Sequence, residues 1–368
     1  MIHDAELFTV GADEVVVTFR TDDDRAVTTA VGDHEVTTRG PYHHATITGL
    51  EPDAAYALAV DGADASPLLP AAVRTLNAPT GRRLATFATV NDVHFGEREC
   101  GKLGTQEEVG PIFASQPGED PYPEIMNRSV IDEMLSLDPP VVLVKGDLTS
   151  EGTDEQYDAF LRFYGRLGER MHHVRGNHDA MLSHTIASEH APFAIELEGA
   201  TLAVLDTVRP GMEKGKITGE QLQWLDDLAR ESVEPLLVFG HHHPWNPSSH
   251  ERSERYFGIN PDDSEALCAV IDRRDAIAGY FAGHTHRTRV RRFATARNVP
   301  IVEIACVKDY PGAWAEYRLY EGGYLQLTRR ARSAAAMSWT ERTRQMFAGL
   351  YRDYALGDLS DRCFAQSF

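Results

Sequence analysis

The 368-residue chain has few cysteines, few basic residues and no long apolar run. Its cysteines are Cys100, Cys268, Cys306 and Cys363. Because they are scattered without a CxxC spacing, we expect reduced thiols rather than a disulfide framework. The chain has no apolar stretch of the roughly 18 residues that a membrane-spanning helix needs, which excludes such a helix. The first residues also lack a basic segment followed by an apolar run, so the sequence predicts a cytoplasmic protein.

Basic residues are scarce relative to acidic ones. Lysine and arginine total 36 and aspartate and glutamate total 56, which gives a formal net charge of −20. Such a surface repels phosphate backbones and anionic lipids at long range, so we expect neither a nucleic-acid polymer nor a membrane as partner. A small phosphorylated substrate is compatible with this charge if bound metal ions make the site locally cationic. The composition does not decide between a monomer and an oligomer.

Residues 1–77 consist of short alternating segments that turn residues separate. The stretch HHATITGLEPDAAYALAV resembles the late strands of a fibronectin type III domain, in which a Leu-x-Pro turn precedes a strand that contains tyrosine. The pattern predicts a small all-β sandwich. A linker rich in proline and glycine follows over residues 78–82.

Residues 83–330 have a different pattern, in which apolar strand-like runs alternate with helical periods. This alternation predicts an α/β domain with helices covering its sheets. Residues 331–368 carry an amphipathic helical pattern, and we expect a helical extension packed on that domain. Residues 95–120 are rich in glycine and glutamate without a period, and long loops of this kind are usually functional or disordered. Because this loop directly follows a candidate metal motif, we favour a lid or wall of the site.

Metal-type ligands end five of the apolar strands. The motifs are Asp92-Val-His94, Gly146-Asp147, Gly176-Asn177-His178-Asp179, Gly240-His241-His242-His243 and Gly283-His284-Thr285-His286. Each motif alone is weak. In α/β sheets, however, ligands bind outside the carboxyl ends of the strands, so five such ends would meet around one cavity. Only one of the three consecutive histidines should be a ligand, and the apolar strand end favours His241 over His242.

The candidate ligands outnumber what one tetrahedral ion needs and suit two ions that share a carboxylate. They are Asp92, His94, Asp147, Asn177, His241, His284 and His286. Asp147 is the natural bridge, because it is the lone carboxylate of the middle strand. The set contains no thiolate, so two divalent or trivalent ions of Fe, Mn or Zn are compatible with it.

Together and in this order, the five motifs resemble the signature of the calcineurin-like metallophosphoesterases over roughly residues 84–310. The resemblance implies a four-layer α/β/β/α sandwich with a dinuclear centre, in which a hydroxide between the two ions attacks phosphorus in line. It implies that one ion is held by Asp92, His94, Asp147 and His286, and the other by Asp147, Asn177, His241 and His284.

The resemblance also implies roles for residues around the metals. His178, with Asn177, would contact the phosphate, and His178 would protonate the leaving alkoxide. Asp179 would orient His178, although an aspartate at this position could instead cap a helix. The basic run that begins at Arg287 is either a solvated strand face or a clamp in which Arg287 binds the substrate phosphate.

Two details narrow the resemblance. Purple acid phosphatases also pair a fibronectin-like domain with this fold, but Ser150 stands here in place of their metal-binding tyrosine, and they lack a ligand of the type of His94. The motifs are more similar to the bacterial class III cyclic-nucleotide phosphodiesterase and glycerophosphodiesterase branch. The sequence therefore predicts a metal-dependent phosphodiesterase for small substrates. A phosphomonoesterase or nucleotidase with the same two-metal centre is the alternative.

Overall fold

The computed structural model describes residues 1–102, 110–247, 249, 252 and 256–368. Within these ranges its strands form one sheet of five strands and two sheets of six. The helices are α1 Tyr122–Leu137, α2 Asp154–Tyr164, α3 Gly219–Glu231, α4 Pro261–Arg273, α5 Ala334–Thr343, α6 Leu350–Leu356 and α7 Leu359–Arg362. None of these described helices combines the length and the apolar character that a membrane span needs.

The N-terminal residues form the five-stranded sheet. Its strands are β1 Ile2–Val10, β2 Glu14–Val31, β3 His34–Thr48, β4 Ala55–Val60 and β5 Ala72–Arg74. Strands β2 and β3 are longer than the sequence segments suggest, because their antiparallel pairing continues past an irregular stretch between Arg20 and Arg25. Apolar side chains from both halves of β2, such as Val17 and Val31, share one core. The expected β-structure of residues 1–77 is present, and its fibronectin-like topology stays a prediction.

The two larger sheets follow the alternating part of the sequence. One has the order β17-β16-β15-β6-β7-β8, and the other has the order β13-β14-β12-β11-β10-β9. The strands are β6 Arg83–Val90, β7 Val142–Lys145, β8 Met171–Val174, β9 Phe193–Leu197, β10 Ala200–Val204, β11 Leu236–Phe239, β12 Ile277–Ala282, β13 Arg289–Arg292, β14 Pro300–Glu303, β15 Ala313–Tyr320, β16 Gly323–Arg330 and β17 Cys363–Ser367. In each sheet the central strands run parallel.

The two larger sheets pack face to face, and helices cover their outer faces. Phe87 of β6 and Phe239 of β11 meet between the sheets, with ring centroids 6.0 Å apart. The neighbouring residues point outward, since side chains alternate along a strand. Ala88 joins the core with α1 and α2, and Val238 joins the core with α3 and α4. The predicted four-layer α/β/β/α sandwich is thereby confirmed.

The C-terminal residues differ from the helical extension that the sequence predicts over 331–368. Helices α5, α6 and α7 are present, but the last residues form β17, which pairs antiparallel with β16 and completes its sheet. The segment Cys363–Ser367 buries Cys363 and alternates partly buried with exposed side chains, as an edge strand does. Five residues are too few for the sequence period to stand out beside the preceding helices. The extension also contacts the N-terminal sheet through α7 and β1.

Candidate metal centre

The seven predicted ligands converge at the carboxyl ends of parallel strands. Asp92 and His94 follow β6, Asp147 follows β7, Asn177 follows β8, His241 follows β11, and His284 and His286 follow β12. Parallel strands present their carboxyl ends at one edge of a sheet, and the two stacked sheets bring both edges together. Six of the seven side chains belong to buried residues, and His286 is partly exposed.

The first group of ligands lies on the β6 side of the site. Asp92, His94, Asp147 and His286 each offer one ligand atom within 4.8 Å of the others. His94 Nε2 lies 3.6 Å from Asp147 Oδ2, and His286 Nε2 lies 3.4 Å from Asp92 Oδ1. Both ring nitrogens of His94 are buried without a hydrogen-bond partner among the described residues. A buried polar atom of this kind is unfavourable unless something binds it, and a cation would satisfy it.

The second group is built around His241. Its Nδ1 donates to the Lys145 carbonyl oxygen at 2.8 Å, and its Nε2 lies 3.1 Å from Asn177 Oδ1 and 3.3 Å from Asp147 Oδ2. A carbonyl that fixes one ring nitrogen and leaves the other facing oxygen ligands is the usual arrangement of a metal-binding histidine. The ring of His284 lies 5.2 Å from that of His241, and its Nε2 is buried without a partner in the described chain.

His242 is the other histidine of this motif that lies close enough to be considered as a metal ligand. A ligand atom of His242 lies within 4.8 Å of those of His241 and His284. Its Nδ1 is 2.9 Å from the Thr207 hydroxyl oxygen, however, and its Nε2 donates to the Glu213 carbonyl oxygen at 3.2 Å. Because both ring nitrogens are engaged, the geometry favours His241 as the ligand and gives His242 a supporting position beneath it.

The backbone of the site is strained at the candidate ligands. Five of the seven adopt positive φ, and they are Asp92 at 55°, His94 at 47°, Asp147 at 50°, His284 at 67° and His286 at 53°. Left-handed backbone costs a non-glycine residue about 1–3 kcal/mol and concentrates at functional sites. The motif glycines make room for these turns. A Cβ on Gly176 would lie 2.2 Å from Asp147 Oδ1.

The charges of the site are interdependent. Burial raises the pKa of Asp147, but the neighbouring His241 and His178 outweigh this effect and hold that pKa well below its ordinary value. Burial lowers the pKa of His241, while the charge and hydrogen bond of Asp147 raise it to about 9. Without a metal the imidazolium of His241 therefore neutralises Asp147. A bound cation would take over that role, so metal binding displaces a proton.

His178 lies beside the first group and outside both ligand groups. Its ring centroid is 4.7 Å from that of His94, and its Nδ1 donates to the Ser150 carbonyl oxygen at 2.6 Å. This bond fixes the orientation of the ring and leaves Nε2 available. The side chain is only partly buried, so substrate can reach it.

Asp179, a candidate for orienting His178, contacts the backbone around the site. The carboxylate of Asp179 accepts hydrogen bonds from the backbone N–H groups of Leu148, Thr149 and Gly176 and from the Thr149 hydroxyl, at 2.7–3.0 Å. None of its described bonds reaches the His178 ring, which Ser150 orients instead. Asp179 therefore ties together the two loops that follow β7 and β8, and it acts on the site through their backbone.

Arg287, the candidate phosphate clamp, is paired with a buried acid. Its guanidinium donates to Glu303 Oε2 at 3.0 and 3.1 Å and lies over the Tyr354 ring at 5.5 Å. Glu303 is fully buried and also faces Arg291 and His243. Arg287 thus neutralises a buried acid. The long-range position of Glu303 on β14 explains why the sequence pattern at residue 287 could not show this pairing.

The loop predicted as a lid or wall is described in two parts, 95–102 and 110–120, and residues 103–109 lie outside the described residues. Cys100 and Phe113 pair across the loop through backbone hydrogen bonds. Glu97 accepts from the buried Lys308 ammonium at 2.6 and 2.8 Å. Lys308 adds to burial in lowering the pKa of His94. Sequence reasoning missed Lys308, because no motif marks it; its only signal is a lone lysine after a buried strand.

A third cluster adjoins His286 and consists of Cys306 and Asp309. The Cys306 thiol donates to Asp309 Oδ1 at 2.9 Å, and Tyr351 donates to the same oxygen at 2.7 Å. Burial raises the pKa of the Cys306 thiol well above its ordinary value, so the thiol stays protonated. The cluster is a hydrogen-bonded support behind His286. All four cysteines are buried and free, in line with the expected reduced thiols.

Comparison with known proteins identifies a family. The sequence model of the calcineurin-like phosphoesterases matches residues 85–288, which is more than half of the chain. The match contains every candidate ligand. It leaves the N-terminal sheet and the C-terminal extension outside.

Curated relatives resemble about half of the chain. A probable cyclic nucleotide phosphodiesterase of Synechococcus sp. is 24% identical over 202 residues, which cover 53% of this chain and 78% of the relative. A glycerophosphodiester phosphodiesterase of Enterobacter lignolyticus is 25% identical over 210 residues, which cover 53% and 73%. A cAMP/cGMP dual specificity phosphodiesterase of Mycobacterium tuberculosis is 29% identical over 211 residues, which cover 54% and 60%.

Among solved structures, a dimetal phosphatase from Danio rerio superposes with a TM-score of 0.52 at 15% identity. The superposition covers 68% of this chain and 98% of that one. At this level of identity the likeness concerns the fold alone. It agrees with the four layers described above.

Proposed function

This chain belongs to the calcineurin-like phosphoesterase family, and we propose that it hydrolyses small phosphodiesters of the cyclic nucleotide or glycerophosphodiester type at a two-metal centre. The observation that carries the proposal is the set of buried, unpartnered imidazole nitrogens of His94 and His284 at the strand ends, with His94 Nε2 3.6 Å from Asp147 Oδ2. The names of three relatives at 24–29% identity support the diester class.

The donor set fits two cations. We propose that the first is held by Asp92, His94, Asp147 and His286, and the second by Asp147, Asn177, His241 and His284. The fit rests on the orphaned nitrogens of His94 and His284 and on the central position of Asp147, which lies 3.6 Å from His94 Nε2 and 3.3 Å from His241 Nε2. Imidazole and carboxylate ligands without thiolate suit Fe, Mn or Zn. When bound, such ions polarise the phosphoryl group and make water nucleophilic at neutral pH.

His178 is the proposed general acid. The Ser150 carbonyl holds the proton on Nδ1, so Nε2 is the nitrogen that delivers a proton to the leaving alkoxide of the substrate. Asn177 directly precedes His178 in the same turn, and its Oδ1 lies 3.1 Å from His241 Nε2. This position next to a proposed ligand supports a contact between the Asn177 amide and the phosphate. Asp179 keeps this turn in place through Gly176 and the loop after β7.

The domain organisation belongs to the same proposal. We propose a fibronectin-like unit over 1–77, a linker over 78–82, a catalytic domain over 83–330 and an extension over 331–368. The separate core of the first sheet supports the first boundary. The catalytic domain is completed by β17, which comes from the extension.

A pair of assays tests the function. Metal-analysed protein is incubated with bis-p-nitrophenyl phosphate and with p-nitrophenyl phosphate, and we expect the diester to be hydrolysed with the higher kcat/KM. A strong preference for the monoester would instead establish the phosphomonoesterase alternative. The exposed Asp132, which pairs with Arg166 at the surface, provides a control variant, Asp132→Asn, that should leave both activities unchanged.

A further inference from the structure

A large aromatic side chain lies exposed beside the metal centre. Phe257 is 51% exposed, although phenylalanine is normally buried. One face of its ring is stacked on the His284 imidazole, with centroids 4.1 Å apart and planes 27° from parallel. Because His284 is a proposed ligand of the second ion, the ring of Phe257 stands one side chain away from the position of the substrate phosphate.

The backbone directly after Phe257 is bonded to two other segments of the chain. The Gly258 carbonyl accepts from Gly215 N–H at 2.7 Å, and Ile259 N–H donates to the His243 carbonyl at 2.9 Å. The fully buried Ile259 fixes the end of this segment. Gly258 has φ of 116°, and a Cβ there would lie 2.5 Å from the His243 carbonyl oxygen, so the close approach requires glycine. These contacts fix the backbone that directly follows Phe257.

The residue before Phe257, Tyr256, contacts a lysine side chain. The Lys214 ammonium lies over the Tyr256 ring, 4.7 Å from its centroid. A lysine side chain and two aromatic rings thus lie together near the second group of ligands. A glycerol group offers no planar face to an exposed aromatic ring, whereas a nucleobase does.

From these contacts we propose that Phe257 is a specificity-determining residue, on whose exposed face the nucleobase of the substrate stacks. The inference rests on the proposed phosphodiesterase function and makes nucleotide phosphodiesters, rather than glycerophosphodiesters, the preferred substrate class. The ribose bridges the two positions, with the phosphate at the metals and the base on the ring. Stacking of a base on an aromatic side chain contributes enough to change affinity by roughly 5- to 100-fold.

The test compares two substrates on metal-loaded protein. For Phe257→Ala we expect kcat/KM for 3′,5′-cyclic AMP to fall by roughly tenfold or more, and kcat/KM for glycerophosphoethanolamine to change less than about threefold. Phe257→Tyr keeps the π face and should retain the wild-type preference. Phe257→Leu keeps apolar bulk over His284 without a π face, and it should behave as Phe257→Ala does. The matched control is Phe368→Ala, since Phe368 is 43% exposed and lies near the amino ends of β11 and β12.

A binding measurement distinguishes two roles of Phe257, namely stacking on the nucleobase and packing against the His284 ring. Calorimetric titration with adenosine 5′-monophosphate and with ribose 5-phosphate should show a preference for the nucleotide in the wild type, and Phe257→Ala should lose it. If Phe257→Ala lowered the affinity for both ligands, or kcat/KM for both substrates, by the same factor, base stacking on Phe257 would be overturned. Phe257 would then only support the His284 ring. Wild-type protein that hydrolyses only the glycerophosphodiester would also overturn it while sparing the proposed function. Protein that hydrolyses no diester would refute the proposed function itself.

Discussion

Two buried polar clusters in this molecule differ in how completely they satisfy themselves. The metal centre leaves both nitrogens of His94 and Nε2 of His284 without partners in the described chain. The second cluster, which we call the interface cluster, joins the N-terminal sheet to the rest of the protein and consists of Glu6, Tyr310, Arg330, Glu341 and Arg344. Glu6 accepts from Arg330 at 2.9 Å, from Arg344 at 3.0 Å and from Tyr310 at 3.1 Å.

The difference separates structure from function. In the interface cluster each carboxylate faces two guanidinium groups, and Arg330 Nε is the one buried atom of the cluster's described side chains that lacks a partner. Such a self-complementary cluster needs nothing from solution. The metal centre combines unpartnered nitrogens with five strained backbone positions, which a purely structural cluster would not retain. Unpartnered nitrogens together with this backbone strain therefore distinguish the metal centre from the interface cluster.

The strongest test of the comparison is Asp147→Asn. Removing the central carboxylate should abolish hydrolysis and lower the bound metal content, because both ion positions lose an anionic ligand. Metal analysis and a diester assay on the same preparation measure the two effects. The surface variant Asp132→Asn should retain both. Full activity in a metal-replete Asp147→Asn protein would contradict the bridging role.

His178→Ala is expected to have the next largest effect. Loss of a general acid typically lowers turnover by about 10²–10⁴-fold, and the metal content should stay near that of the wild type, since His178 lies outside both ligand groups. Turnover of a substrate with a good leaving group, such as bis-p-nitrophenyl phosphate, should fall less than that of a glycerophosphodiester. A large loss of metal would instead assign His178 to the ligands.

A substitution in the interface cluster should lower the free energy of unfolding without changing metal binding. Glu6→Gln leaves Glu341 as the one carboxylate of the cluster between two buried guanidinium groups. One positive charge is then uncompensated, and breaking a buried ion pair in this way typically costs about 3–5 kcal/mol of unfolding free energy. Urea unfolding measures this loss, and metal content should be unchanged at permissive temperature. The surface variant Arg166→Met removes an exposed ion pair with Asp132 and should cost less than about 1 kcal/mol. A similar small effect of Glu6→Gln would show that the cluster does not hold the sheet in place.

The two clusters also differ in how far the sequence foretells them. The metal centre is built from motifs that directly follow apolar strands, so the strand pattern alone predicts that Asp92, Asp147 and His241 lie together. The interface cluster joins Glu6 to Arg330, which lie 324 positions apart, and no local pattern connects them. The same reason hides the pairing of Arg287 with Glu303, which lies on another strand.

Local sequence also fails where a backbone interaction decides a role. An aspartate next to a catalytic-type histidine suggests an orienting contact, yet Asp179 turns away from His178 and binds the backbone of two loops. The short strands β9 and β17 escape the pattern because five residues hold too little alternation to stand out from a loop or a helix end. Long, strongly patterned elements such as β6 and α1 are predicted correctly.

The smallest expected effect is a loss of stability in mild acid. It concerns Glu14, which also joins the N-terminal sheet to the rest of the protein through Arg318 and Arg329. Burial raises its pKa, but its hydrogen bonds and charge interactions with Arg329 and Arg318 lower it from 4.5 to about 2. A depressed carboxylate pKa stabilises the fold above the unfolded value of 4.5 and loses that contribution as the pH falls towards 2. The full contribution is roughly 3 kcal/mol, of which about 2 kcal/mol should be lost by pH 3.

Urea unfolding of metal-free wild type and Glu14→Gln at pH 7, 5, 4 and 3 measures this contribution. The stability difference between the two proteins should stay constant from pH 7 to 5 and then shrink. A difference that instead stayed constant from pH 7 to pH 3 would contradict the lowered pKa of Glu14.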